Sequence, residues 1–176
     1  MRKPRLLLEG AWYHVTARVN RGEMLFDRDE VKELFLVLLT RAKKRYKFQV
    51  MNFCIMENHV HLMVQPAKGV SLSDIMRWLL GVFAQAYNKR RGWTGHFWGD
   101  RFHSRILAGL RQIAIAFGYI DANPVKASLV DHPWEWRHGG YWHDWTRNRE
   151  VLDLSPPWIV CLSCLRKDMP RISAPY

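Results

Sequence analysis

The run FQVMNFCIMENHVHLMV, residues 48–64, decides the fold. Two apolar stretches flank Glu57–Asn58, a pair suited to a tight connection. The segment therefore reads as a β-hairpin, with one strand over 48–56 and the next over 59–64. Strand side chains alternate faces with a period of two. Val60, Leu62 and Val64 thus share one face, toward a core, while His59, His61 and Met63 share the other. Two imidazoles projecting side by side can hold a metal ion, bind a phosphate or make ordinary hydrogen bonds. Their spacing alone does not choose.

Working outward, AWYHVTARV (11–19) alternates in the same way, with Trp12, His14, Thr16 and Arg18 opposite Tyr13, Val15, Ala17 and Val19. Asp27 and Glu30 have the spacing of a capping box, and Val31, Leu34, Phe35, Leu38, Leu39, Ala42 and Tyr46 follow at helical intervals. Ser71 and Asp74 form a second such pair ahead of Met76, Leu79, Leu80, Phe83 and Tyr87. GHFWGDRFHSRIL (95–107) reads as a fourth strand. A third helix is expected from about Leu110 to Asn123, ending at Pro124, whose ring disfavours helix at the residue before it. The order β-α-β-β-α-β plus a helix is the ferredoxin-like α+β pattern, an antiparallel sheet with helices on one face. We expect one domain over 1–140 and an aromatic, Pro-rich extension over 141–176.

The chain has 176 residues, and hydrophobic residues make up 48% of them, enough for a buried core and too many for a disordered chain. Apolar runs such as LFLVLL (34–39) are far shorter than the roughly 18–20 residues of a membrane helix, and the N-terminal one is too short for a secretory signal. No membrane association and a cytoplasmic location are the expectations. Three cysteines are too few for a disulfide framework, and Cys161–Cys164 lacks the second pair of a structural zinc site. A net charge of +11 points to polyanionic partners, nucleic acid first. Basic clusters at 41–47, 88–92 and 101–105 interleave with aromatics, a mixture suited to single strands. Lys89, Arg90, Arg91, Arg101 and Arg105 are the candidates for a nucleic-acid track, with Trp98 and His103 as stacking candidates.

At about 100° per residue, Tyr119 and Asn123 lie roughly 40° apart on the third helix, along one flank of a stripe formed by Ile113, Ala116, Phe117 and Ile120. Tyr87 is a competing tyrosine, but it continues the apolar stripe of its own helix. Taken together, ENHVHLMV, YIDANPVKASLV and FWGDRFHSRIL resemble the REP-associated tyrosine transposases. These are a branch of the IS200-like single-tyrosine transposases within the HUH endonucleases, named for a His, a bulky apolar residue and a His, here His59-Val60-His61. The resemblance spans about residues 10–140.

The resemblance implies a metal-dependent endonuclease and strand transferase acting on single-stranded or hairpin DNA formed by palindromic repeats. His59, His61 and Asn123 would hold Mg²⁺ or Mn²⁺. Tyr119 would attack the scissile phosphate, leaving a 5′-phosphotyrosine and a free 3′-OH that a second strand end can later displace. Two imidazoles and an amide suit Mn²⁺ better than Mg²⁺, which prefers oxygen ligands. The family includes monomers and homodimers, and both remain open. The rival reading is a non-catalytic module binding single-stranded nucleic acid on the same fold.

Overall fold

The hairpin forms as the alternation requires. β2 (Phe48–Ile55) pairs antiparallel with β3 (His59–Pro66), and β3 pairs with β1 (Trp12–Arg18), which places Thr16 beside His61 and Arg18 beside His59. β4 (His103–Leu107) joins the far side of β1, giving the antiparallel order β2-β3-β1-β4 of a ferredoxin-like sheet. This computed structural model describes residues 8–153; Cys161, Cys164 and the Pro-rich stretch lie outside the described residues.

The sheet is buried on both faces by different helices. Val60, Leu62 and Val64 pack with Val15, Phe53 and Ile55 against α1 (Asp29–Tyr46) and α2 (Leu72–Arg91). On the opposite face Met51, Cys54 and Met63 pack under Ile113, Ala116, Phe117 and Ile120 of α3 (Leu110–Lys126). Two helices thus share one face, as the pattern predicts, and the additional helix takes the histidine face. Full burial of each large apolar side chain contributes about 1.5–3 kcal/mol, against about 1 kcal/mol for a typical hydrogen bond. The apolar stripe therefore decides where α3 sits.

Three local expectations are corrected. The Asp27–Glu30 box does not form, and α1 starts at Asp29 after Arg28, with no side-chain cap. Phe26 is fully buried and its N–H donates to the Glu57 carbonyl, which fixes the approach to the helix and leaves Asp27 exposed. By contrast the Ser71 cap is present, its hydroxyl accepting from the Asp74 N–H. The fourth strand is five residues long, because residues 95–102 form a loop touching the sheet by one bridge between Val19 and Trp98. Phe97 and Trp98 both turn inward into a cluster with Phe26 and Phe83, which breaks the alternation a strand needs. Finally, α3 runs through Pro124 to Lys126. The proline lies in the last turn, where its missing N–H forgoes one bond to the Ile120 carbonyl. The N–H groups of Ala127 and Leu129 close the end onto the Asn123 and Pro124 carbonyls.

The chain after α3 returns to the outer edge of β2. The Ile55 N–H donates to the His138 carbonyl, and the Trp136 indole donates to the Ile55 carbonyl. Further on, Val50 and Asp153 exchange hydrogen bonds, Lys43 pairs with Asp153 at 2.8 Å, and Val151 and Leu152 are buried in the α1–α2 core. Between these contacts α4 (Gly140–Trp145) starts where a β-carbon on Gly140 would overlap the Asn52 carboxamide oxygen. That oxygen also accepts the Phe53 N–H.

This packing has two measurable consequences for stability. Gly140→Ala must displace Asn52, and urea unfolding should show a loss of about 1–3 kcal/mol. His143 is buried against Phe53, and burial first, with His138 second, lowers its pKa from 6.5 to about 4. In the unfolded chain His143 takes up a proton near 6.5, so between about pH 6.5 and 4 the unfolded state binds more protons and stability falls as the pH falls. His143→Gln should flatten the pH dependence of the urea midpoint in that window; an unchanged slope would contradict the burial of a neutral ring.

Candidate active site

β3 presents His59 and His61 on the face that α3 covers, and α3 brings Tyr119 to them. The Tyr119 ring lies 5.6 Å from the His61 ring and 5.9 Å from that of His14, centroid to centroid. The ring is half-buried, and the Lys126 ammonium sits 4.8 Å from its centroid. Asn123 is 9% exposed, and its carboxamide nitrogen donates to the Tyr119 carbonyl at 2.7 Å. Its side chain also comes close enough to His61 to favour the protonated ring, the one influence that raises the pKa of that ring.

Each imidazole is oriented by a partner at Nδ1. His59 Nδ1 lies 2.7 Å from Asn58 Oδ1, and Asn58 Nδ2 donates to the Gly22 carbonyl. The Asn58 oxygen is thereby the acceptor, so a neutral His59 carries its proton on Nδ1 and keeps a lone pair on Nε2. His61 Nδ1 lies 2.9 Å from His14 Nε2, with the two rings stacked. His61 is 5% exposed, and its buried Nε2 makes no hydrogen bond meeting ordinary distance and angle limits.

Burial makes these rings neutral. It lowers the pKa of His59 to about 4, helped by Arg18, and that of His14 to about 4, helped by Arg105. His61 is pushed well below its ordinary value, by burial first and then by His59 and His14. Three uncharged imidazoles retain the lone pairs that a metal requires. Among the described residues no group of three His, Cys, Asp or Glu side chains is placed to hold a metal. The available donors are two imidazoles and a carboxamide, and the poorly satisfied Nε2 of His61 fits a role as one of them.

The expected nucleic-acid residues fall in four places. His103 and Arg105 lie on the histidine face, opposite Thr16 and His14 in the β1–β4 register, and both are exposed. Arg101 is exposed in the preceding loop. Lys89 and Arg90 are exposed at the end of α2, where Arg91 lies over the Tyr87 ring at 5.7 Å. Trp98 is different: its indole donates to the Leu80 carbonyl and its ring packs among Phe26, Phe83 and Phe97, which makes it a packing residue rather than a stacking platform. Tyr87 is core, as its spacing indicates.

Three contributors are not apparent from the sequence. His14 and Asn58 orient the two imidazoles. Asn52 follows a bulge in β2, and its amide donates to Asp121 Oδ1 at 2.9 Å and to the Phe117 carbonyl, which fixes the rotation of α3 between Tyr119 and Asn123. A lone amide in the apolar run FQVMNFCI is the available signal for Asn52. For His14 the signal is a third histidine on a strand of matching alternation.

A solved REP-associated tyrosine transposase, bound to a REP hairpin, superposes with a TM-score of 0.70 at 19% identity, over 88% of this chain and 95% of that one. A candidate transposase from Deinococcus radiodurans R1 reaches a TM-score of 0.49 at 17% identity, over 65% of this chain and 92% of that one. No curated protein matches. The family model for the IS200-like transposases matches residues 8–123, a span that includes His59, His61, Tyr119 and Asn123, and the chain belongs to that family.

Proposed function

We propose that this chain is a metal-dependent single-strand DNA endonuclease and strand transferase of the REP-associated type, acting on hairpins formed by palindromic repeats. The observation that carries the reading is the meeting of Tyr119 with two neutral, Nδ1-anchored imidazoles on one face of the sheet. Family membership supports DNA cleavage and rejoining as the reaction class. The likeness to a fold solved with a REP hairpin supports the choice of substrate.

His59 and His61 would ligate through Nε2 and Asn123 through its carboxamide oxygen, since its nitrogen is already donating. A divalent cation held there, Mn²⁺ or Mg²⁺, supplies Lewis-acid neutralisation of the charge that builds on the scissile phosphate. The Tyr119 oxygen forms the new bond to phosphorus and gives up its proton. The P–O3′ bond breaks, and the leaving oxygen takes a proton to become a 3′-OH. The 5′-phosphotyrosine conserves the bond, so an incoming 3′-OH can reverse the step on another strand end. Lys126 and the α3 stripe hold the phenol in place. With His61 ligating through Nε2, its Nδ1–H would donate a hydrogen bond to His14 Nε2, which holds the ring in that tautomer.

A labelled hairpin oligonucleotide incubated with Mn²⁺ should give a covalent adduct stable in denaturing gels. Tyr119→Phe should abolish it, while Tyr87→Phe should not. His61→Ala should slow adduct formation at least about 100-fold, the upper end of what removal of a metal-site group typically costs. Calorimetry with Mn²⁺ should show His14→Ala binding about 10–100-fold more weakly, as expected when a residue that orients a ligand is removed. Salt-sensitive binding with no adduct in the parent protein, indifferent to chelators and to His59, would identify a binding module instead.

A further inference from the structure

The run LFLVLL, residues 34–39, supplies more apolar side chains than the core takes up. Phe35, Leu38 and Leu39 are buried, whereas Leu36 is half-buried and Val37 is 49% exposed on the outer side of α1. The chain returning after α3 passes beside them and leaves a gap. Between the two lies a cavity of about 480 Å³, within the range of about 300–1,000 Å³ typical of small-ligand sites. α1 packs on the face of the sheet opposite α3, so this space is separate from Tyr119 and its histidines.

Its lining combines three kinds of surface. Leu36, Val37 and Val151 give an apolar floor, and the half-buried ring of Trp142 adds a flat aromatic wall. Such a ring stacks on any nucleobase, because every base has a π-face. Arg41, Lys44 and Arg137 bring positive charge to the edge. Arg41 and Lys44 are exposed and enter none of the ion pairs formed among the described residues, and Arg137 lies over the Trp142 ring at 5.9 Å. Guanidinium forks match phosphate oxygens, and an ammonium binds them as a point charge. The remaining surface is polar. Glu33 and Glu150 line the space as carboxylates, which only accept hydrogen bonds and so select a ligand bearing N–H donors. His143, 4% exposed, also lines it, and its buried Nδ1 has no hydrogen-bond partner among the described residues. An unpaired buried polar atom is costly, so a ligand group that pairs with it gains on entering. A planar body, an anionic group and N–H donors on one small molecule describe a purine nucleoside phosphate.

We propose that this cavity binds a free purine nucleoside phosphate, its base stacked on Trp142 over the apolar floor and its phosphate held by Arg41, Lys44 and Arg137. Bound there, the nucleotide joins α1 to the segment that carries α4. Gly140, the first residue of α4, abuts Asn52, and Asn52 grips Asp121 of α3, so the wall of the cavity also braces the helix that bears Tyr119. The site stands apart from the strand-transfer reading, since it lies on the other face of the sheet and needs no metal.

Calorimetry on the full chain, in EDTA, uses GMP and AMP as probes, with guanosine, adenosine and inorganic phosphate as their parts. At least one of the two nucleotides should bind with one-to-one stoichiometry, and each of its parts at least about tenfold more weakly. Arg41→Gln/Lys44→Gln changes two exposed positions that the core does not use. It should weaken nucleotide binding at least about tenfold, the worth of charge-assisted hydrogen bonds to phosphate. Trp142→Ala should cause a loss of similar size, with circular dichroism checking its fold; should it unfold, the exposed double variant still decides. A saturating hairpin oligonucleotide should leave the nucleotide bound. Displacement by the hairpin would put the nucleotide in the DNA site and overturn the proposal. Inorganic phosphate binding as tightly as the nucleotides would mean diffuse surface charge and overturn it too. So would full affinity in Arg41→Gln/Lys44→Gln, or no binding of either nucleotide.

Discussion

The apolar contact between α3 and the histidine face of the sheet is what the rest of the site depends on. Ile113, Ala116, Phe117 and Ile120 press onto Met51, Cys54 and Met63, and this burial outweighs any single polar contact nearby. Because Tyr119 and Asn123 flank that stripe, seating it carries both toward His59 and His61. Rotation about the helix axis is then fixed by the buried amide of Asn52, which grips Asp121 and the Phe117 carbonyl. Polar contacts refine a placement that hydrophobic burial has already made.

The same burial sets the chemistry. Imidazoles in open water would be partly protonated near neutral pH, but His14, His59 and His61 are held neutral, by desolvation above all. Surrounding guanidiniums work in the same direction, since Arg18 and Arg105 disfavour a positive ring beside them. One basic surface therefore does two things: it keeps the donor nitrogens available and it attracts a polyanion. Among the described residues no group of three His, Cys, Asp or Glu side chains is placed to hold a metal, and a cation proposed to sit here would draw on His59, His61 and the Asn123 carboxamide.

Much of this is legible in the sequence because it is periodic. The period of two in 59–64 separates Val60, Leu62 and Val64 from His59 and His61, and the helical stripe of 113–120 places Tyr119 and Asn123 on a shared flank. What the sequence hides is set by tertiary contact. Trp98 reads as part of a strand, yet consecutive Phe97 and Trp98 turn inward together because an aromatic cluster around Phe26 and Phe83 receives both. Pro124 reads as a helix stop, yet in the last turn it costs only one hydrogen bond. His14 alternates onto the right face, but the partner that gives it a role is 47 residues away.

The proposed convergence of distant side chains on one cation is tested most directly by titrating Mn²⁺ into protein labelled at His, Tyr and Asn and recording paramagnetic broadening by NMR. At substoichiometric metal the ring signals of His59, His61 and Tyr119 and the Asn123 side-chain amide should vanish first and together, with those of His132 and His143 unaffected. Broadening that begins at surface carboxylates, or that removes the two imidazoles while sparing Tyr119, would contradict the account.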